Sequence, residues 1–395
     1  MAAEPEIDIL RELLGDLLPA EDGLRHAGPP PAFSVRKHGD ETLSAALADA
    51  LAHTGRVERA THGFHTYPAG MHPDAARAVI AANPGPVHDP FCGGGTVLVE
   101  AILAGRAASG TDLSPIALLV ARARTGDAAQ ASALRSAARR IAEAARQRTE
   151  VEIPEAVAEW YEPHVAAEMA RLRDGVNASD PAVRPLLKAV FSSIVVKASY
   201  RESDTSNRRA PGHRPPGTTP VLFHKKAREL GRMLESLPAH APARLRAADA
   251  RHVGPPPGTG LVLTSPPYPG VYDYLPMQQL RLAWLGISAG AAAYASEVGS
   301  RRAFRAAGRA AAFRQWRADT FAWVKSQADA LSSGGRVAIN VGDGLVGDRL
   351  VDALSPTVEA MRAAGLRILA RASADRPDHA RNAIRIEHIV LGEKP

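Results

Sequence analysis

The chain has 395 residues, 45% of them hydrophobic, and a net charge of +6, so it can bury a sizeable core and its charge favours a polyanionic partner. Its single cysteine, Cys92, excludes an internal disulfide framework and a multi-thiolate zinc site. No apolar run approaches the roughly 18 residues that span a bilayer, and the acidic start (Glu4, Glu6, Asp8, Glu12, Asp16) is unlike a signal peptide, which predicts a cytoplasmic protein.

Residues 1–60 read as mostly helical. Ile7, Leu10, Leu13, Leu14 and Leu17 follow helical spacing, Gly28, Pro29, Pro30 and Pro31 interrupt it, and a second helix covers 41–53. A Pro-bounded segment at 64–73 comes next, then a helix around 74–82. From Pro86 the pattern is strand, turn, helix, strand: 87–91, 93–95, 96–104 and 107–111, ending at Asp112. Residues 117–245 read as mostly helical around one polar loop, and a strand over 243–248 leads to Asp249. Residues 261–264 form a buried strand, a helix over 313–331 precedes a strand at 335–341, and the tail alternates through strands at 366–372 and 384–391. Strands alternating with helices predict a mostly parallel sheet.

Two segments carry chemistry. In Asp89-Pro90-Phe91-Cys92-Gly93-Gly94-Gly95-Thr96, a glycine triplet lets backbone approach a ligand, and the helix behind it offers free N–H groups. It has neither the G-x-G-x-x-G order of a dinucleotide fingerprint nor the lysine of a phosphate loop. In Thr264-Ser265-Pro266-Pro267-Tyr268, two prolines hold φ at about −65° and remove two donors, which leaves carbonyls for an amine to donate to.

In this order the two segments resemble the cofactor loop and catalytic loop of S-adenosylmethionine-dependent amino-methyltransferases. The resemblance is strongest to the DNA methyltransferases that act on N4 of cytosine or N6 of adenine. That family carries a Phe-His-x-Tyr-Pro stretch just before the cofactor loop, closing over the methionine part of the cofactor; here it stands as Phe64, His65, Tyr67 and Pro68, with Met71 and Pro73 after it. Tyr272-Asp273-Tyr274, the stretch 280–286 and the strand at 334–340 are similar to the segments that come after the catalytic loop in bacterial DNA methylases.

The resemblance implies an α/β fold, a Rossmann-like S-adenosylmethionine-dependent methyltransferase with a seven-stranded mixed sheet. The catalytic domain would be 61–125 and 246–395, with a helical N-terminal extension at 1–60 and a helical insertion at 126–245 as the possible nucleic-acid recognition region. It implies that Phe64, Tyr67, Pro68, Asp89, Phe91, Gly93, Gly95, Thr96, Asp112 and Asp249 bind S-adenosylmethionine, Asp112 through the ribose hydroxyls and Asp249 through the adenine amine. Ser265 and the Pro266 carbonyl would hold the target amine beside Pro267, and Tyr268 would stack on the base. A serine in the first position favours N4 of cytosine. Methylation at carbon 5 would need a nucleophilic cysteine, and Cys92 is not in the catalytic loop.

A DNA partner implies phosphate contacts. Arg201, Arg208, Arg209 and Arg214 in the polar loop are the candidates, and Arg302, Arg305 and Arg309 fall on one helical face. His62, His65 and His72 lack the carboxylate or thiolate company of a metal site. An RNA methyltransferase of the tRNA guanine-N2 type is the alternative. A protein-glutamine methyltransferase and a non-enzymatic nucleic acid binder stand behind it.

Overall fold

Leu261–Thr264 is apolar up to its last residue, and all four positions are buried, which suits the middle of a parallel sheet covered on both faces. It lies there in the computed structural model, which describes residues 34–68, 70–147, 149–206, 208–210, 212–288, 296–346, 349–378 and 383–395. All of these but Ser34 belong to one unit, Val35–Pro395.

The strands in chain order are β1 (Val35–Gly39), β2 (Val87–Asp89), β3 (Ala108–Asp112), β4 (Arg244–Ala247), β5 (Leu261–Thr264), β6 (Arg336–Gly342), β7 (Gly344–Val346), β8 (Arg349–Val351), β9 (Arg367–Asp378) and β10 (Ala383–Glu393). Eight of them form one sheet in the order β1-β9-β10-β6-β5-β2-β3-β4, while β7 and β8 make a separate antiparallel ribbon. Strands β4, β3, β2, β5 and β6 are mutually parallel; β10, β9 and β1 extend the β6 side antiparallel. Ranked along the chain, the parallel strands lie 3-2-1-4-5, the Rossmann-like doubly wound order. That order reverses between β2 and β5, so a crevice opens at their carboxyl ends, where both chemical segments begin.

The seven strands expected from the sequence are all in this sheet, and β1 is an eighth. Residues 1–60 read as helical, and Val35–Gly39 departs from that: only Val35 is partly covered, so no apolar alternation marks a strand. It is a strand because its backbone completes the exposed edge of β9. The helix expected around Ile7–Leu17 lies outside the described residues. The second forms as α1 (Glu41–Ala52), with the Asp40 carboxylate accepting from Leu43 N at 2.9 Å.

Alternation along β5 splits the sheet's packing. Leu261 and Leu263 face a core with Val79, Ile80, Leu98, Ile389 and Leu391. Val262 faces the opposite core, with Trp316, Trp323, Val337 and Met361. The helices α2 (Pro73–Ala81) and α3 (Thr96–Leu103) supply the first face. A third core lies among the helices that follow α4 (Pro115–Arg124), namely α5 (Ala131–Ala145), α6 (Glu155–Ala158), α7 (Pro163–Asn177), α8 (Arg184–Ala198) and α9 (Thr218–Glu235), and is built on Ile141, Met169, Leu172, Phe191, Phe223 and Trp284. Among the described residues no helix is long and apolar enough to cross a membrane.

Candidate active site

The chain leaves β2 at Asp89 and turns through the glycine triplet into α3. Gly93 (φ +47°) and Gly95 (φ +82°) both hold left-handed backbone that side chains resist. At Gly95 a Cβ would also sit 3.0 Å from the Cα of Ala121, so glycine lets α3 and α4 approach. Asp112, at the end of β3, ties the turn down: one carboxylate oxygen accepts from Gly93 N at 2.9 Å and the other from Ser114 N at 2.8 Å. Each oxygen keeps a lone pair for a ligand hydroxyl.

Beside this turn opens a crevice of about 1060 Å³ including its mouth, lined by Tyr67, Pro68, Asp89, Phe91, Gly93, Thr96, Asp112, Asp249, Ser265 and Pro267 among others. Burial pushes the Asp89 carboxyl up to about 7, even though Thr264 Oγ1 (2.7 Å) and Phe91 N (3.1 Å) donate to it. Burial raises Asp112 as well. Two buried acids in one cavity are stabilised by a cationic ligand. S-adenosylmethionine fits this donor set: it brings an ammonium and a sulfonium, and ribose hydroxyls for Asp112. Burial, then the nearby carboxylates, push the Cys92 thiol well up, so it stays a neutral packing group.

The segment before the turn is fastened to it by a residue that the sequence does not single out. Arg124, buried at the end of α4, donates to Gly94 O at 3.0 Å, His62 O at 3.0 Å and His65 O at 2.5 Å. Its burial lowers the guanidinium to about 10. Tyr67 consequently lies over the triplet: a Cβ on Gly93 would meet its ring at 3.2 Å. Phe64 does not reach the crevice. It is fully buried in the helical core, edge-on to His65 at 6.1 Å, and its role is packing. His62 pairs with Glu100 (2.7 Å), His65 with Ser192 (3.0 Å), and His72 caps α2. Among the described residues no acid, histidine and cysteine group could hold a metal.

Asp249 follows β4 and lines the crevice, yet its carboxylate is already engaged. Arg251 donates to it from Nε (3.0 Å), Nη2 (2.7 Å) and the backbone N (2.9 Å), and ties it to Asp319 (2.8 Å). Burial acts upward on Asp249, but these bonds outweigh it and hold the group below its ordinary range.

On the acceptor side, Ser265 and Pro267 reach the crevice while Pro266 is buried. The Pro267 carbonyl accepts from Trp316 Nε1 at 3.1 Å. Among the described residues the Pro266 carbonyl takes no hydrogen bond. Tyr268, expected to stack on a base, does not line the crevice. Its ring packs on β6, where a Cβ on Gly342 would come within 2.6 Å of it. Its hydroxyl donates to Glu387 Oε1 at 3.0 Å, and Glu387 is itself held by Asn340 (3.1 Å) and Arg376 (2.7 Å). Ser265 Oγ, 3.4 Å away, donates to the Tyr268 hydroxyl. With its proton turned there, Ser265 offers lone pairs to the crevice. The facing wall comes from Tyr274, which lies in the stretch similar to bacterial DNA methylases, and from Leu275, Glu297 and Val298, which motif reading did not mark.

The basic stretches are also rearranged. Arg201 is buried and donates to Ser206 O (2.7 Å) and Met277 O (3.1 Å), so it braces the polar loop from within. Arg214 donates to Lys197 O at 2.6 Å. Arg208 and Arg209 are exposed, beside Glu202 (3.4 Å) and Glu159 (2.5 Å), and Arg209 lies over the Trp160 ring. Arg302, Arg305 and Arg309 do not share one helix: Gly308 (φ +75°) separates α12 (Arg301–Ala306) from α13 (Arg309–Ala330), with Tyr274–Met277 (α10) and Gln279–Trp284 (α11) before them.

No protein-family model matches the chain. Over 99 residues it is 31% identical to the Type II methyltransferase M.MvaI of Kocuria varians, a stretch that spans 22% of either protein. Among solved structures, TrmN from Thermus thermophilus overlaps 82% of this chain and 48% of its own at 12% identity (TM-score 0.30). The rRNA methyltransferase aviRa from Streptomyces viridochromogenes overlaps 83% and 88% at 14% identity (TM-score 0.31). The glycopeptide N-methyltransferase MtfA overlaps 89% and 97% at 11% identity (TM-score 0.26). Overlaps this loose carry no argument. The chain's own strand order is Rossmann-like and doubly wound, and one stretch of it is similar in sequence to a type II methyltransferase.

Proposed function

We propose that this chain is an S-adenosylmethionine-dependent methyltransferase acting on the exocyclic amine of a DNA base, N4 of cytosine in preference to N6 of adenine. The observation that carries the reading is one crevice lined by both the glycine turn with Asp112 and by Ser265 and Pro267. The sequence similarity to a type II methyltransferase supports it.

When bound, S-adenosylmethionine would supply an electrophilic methyl group on its sulfonium. The chain's part is to hold and orient. Asp112 accepts from the ribose hydroxyls, the amides of the triplet border the cofactor, and Asp89 faces positive charge from the crevice floor. An exocyclic amine needs acceptors rather than a strong base, since its lone pair is the nucleophile. Ser265 Oγ accepts one N–H; the Pro266 carbonyl, which takes no hydrogen bond among the described residues although Pro266 does not line the crevice, is the acceptor we assign to the other, and together they aim the lone pair. In-line transfer then draws most of its rate from positioning. A duplex base reaches such a crevice only when flipped out, between walls that include Tyr274.

The test is transfer of labelled methyl from S-adenosylmethionine to genomic DNA and, separately, to total RNA, with the modified nucleosides identified by mass spectrometry. N4-methylcytosine in DNA is expected. Label confined to RNA would move the substrate to the tRNA guanine-N2 alternative, and no label in either would sink the reading.

A further inference from the structure

Among the described residues two large apolar side chains stand exposed, Leu113 and Leu350. Leu113 lines the cofactor crevice, where a bound ligand would cover it. Leu350, 52% exposed, has no such explanation. It lies on the β7–β8 ribbon next to Arg349 and borders a groove with Arg309, Phe313 and Arg317 of α13.

This ribbon adjoins the acceptor loop. A Cβ on Gly270, two residues past Tyr268, would lie 2.6 Å from Val346 Cγ2 on β7 and 3.3 Å from the Phe304 ring on α12. Trp316 of α13 holds the Pro267 carbonyl, and Arg301 N at the start of α12 donates to Tyr272 O at 3.0 Å. The loop is therefore wedged between the ribbon and two arginine-rich helices.

Of the acids on the groove, Glu359 pairs with Arg317 at 2.8 Å, while Asp352 accepts from Leu354 N (2.9 Å) and Ser355 N (3.1 Å) and keeps its charge. Arg305, Arg309 and Arg349 are exposed and form no ion pair among the described residues. Arg309 thus shares the groove with the exposed Leu350, Arg349 precedes Leu350 on β8, and Arg305 lies on the neighbouring α12, so exposed arginines outnumber the acids in this part of the surface.

We propose that this rim docks double-stranded DNA, with Arg305, Arg309 and Arg349 on phosphates and Leu350 against the groove floor; the inference rests on the base-methylation reading. The major groove admits a two-stranded ribbon. An apolar side chain pressed between base steps loosens stacking, which lowers the cost of flipping a neighbour. The polar loop is the weaker candidate, because Arg201 and Arg214 donate inward.

The experiment is fluorescence anisotropy of the full chain with a labelled genomic duplex across a sodium chloride series, with calorimetric titration of the cofactor as a check on folding. Arg305→Ala/Arg309→Ala/Arg349→Ala is expected to weaken duplex binding roughly ten- to a hundredfold and to lower the log–log salt slope by about three, with cofactor affinity unchanged. Leu350→Ser should weaken binding while keeping the slope. Wild-type affinity and slope in the triple variant, or the loss appearing instead in Arg208→Ala/Arg209→Ala, overturns the rim. If the wild-type chain still methylates DNA in that case, only the docking surface falls. A wild-type chain that neither binds nor methylates DNA takes the base-methylation reading down with it.

Discussion

The two halves of the crevice are built differently. The cofactor half is backbone geometry from one continuous turn, pinned by Asp112 nineteen residues on through Gly93 N at 2.9 Å. The acceptor half is assembled from side chains on distant segments: Ser265, Tyr268, Asn340, Arg376 and Glu387, with a far wall at Tyr274 and Glu297. A site made of turn geometry travels with a short motif. A site made of long-range pairings can keep the motif's letters and use them otherwise, as Tyr268 does.

Asp89 lies where the halves meet, since it binds both the turn and Thr264 beneath the acceptor loop. Burial lifts its carboxyl from an ordinary 3.8 to about 7. A folded-state value above the unfolded one means that stability is fully present below pH 4 and lost as pH rises through 7. The difference corresponds to about 4 kcal/mol at most. Asp89→Asn, which keeps an acceptor for both donors, is expected to remove that loss. Urea unfolding of the cofactor-free chain across this pH window measures it; parallel curves for the two proteins would mean that Asp89 is charged in the folded state.

Asp112→Ala separates the halves directly. Losing two charge-assisted bonds to ribose should weaken cofactor binding about a hundredfold, whereas Ser265→Ala should leave it within about twofold. Asp112→Asn keeps one side-chain oxygen, enough for Gly93 N or Ser114 N but not both, and should cost about tenfold, between the wild type and Asp112→Ala. Calorimetric titration of the three variants decides it, and equal losses in Asp112→Ala and Ser265→Ala would contradict the division.

The same division explains what the sequence made legible. Seven strands could be read because each is a short apolar run or follows a helix at βα spacing, and the turn at 93–95 could be read because a glycine triplet marks it, whereas the bond from Gly93 N to Asp112 that pins the turn could not. Strand β1 could not, because an edge strand with four exposed residues owes its form to β9. Nor could the clamp of Arg124, since an arginine ending an amphipathic helix looks like surface until the turn folds over it. In the polar loop arginine density suggests phosphate, yet the sequence does not show that Arg201 satisfies three of its own chain's carbonyls while Arg208 and Arg209 stay exposed.

Tyr268→Phe tests the acceptor half on its own terms. A residue that stacks on the base needs only its ring, so phenylalanine would serve as well as tyrosine. The bonds seen here require the hydroxyl. Because Tyr268 donates to Glu387, it accepts from Ser265, and Ser265 then presents lone pairs rather than a proton to the incoming amine. Without that hydroxyl the Ser265 proton is free to rotate into the crevice and meet the amine's own N–H groups. Single-turnover methylation should therefore slow about tenfold in Tyr268→Phe, with KM and cofactor affinity unchanged, the pattern of an interaction that acts on the transition state alone. Glu387→Gln should slow it less, because the amide still accepts from Tyr268. In a Ser265→Ala background, Tyr268→Phe should cost nothing more, since the tyrosine acts through the serine. Full activity in Tyr268→Phe would leave the hydroxyl idle and return the ring to the base.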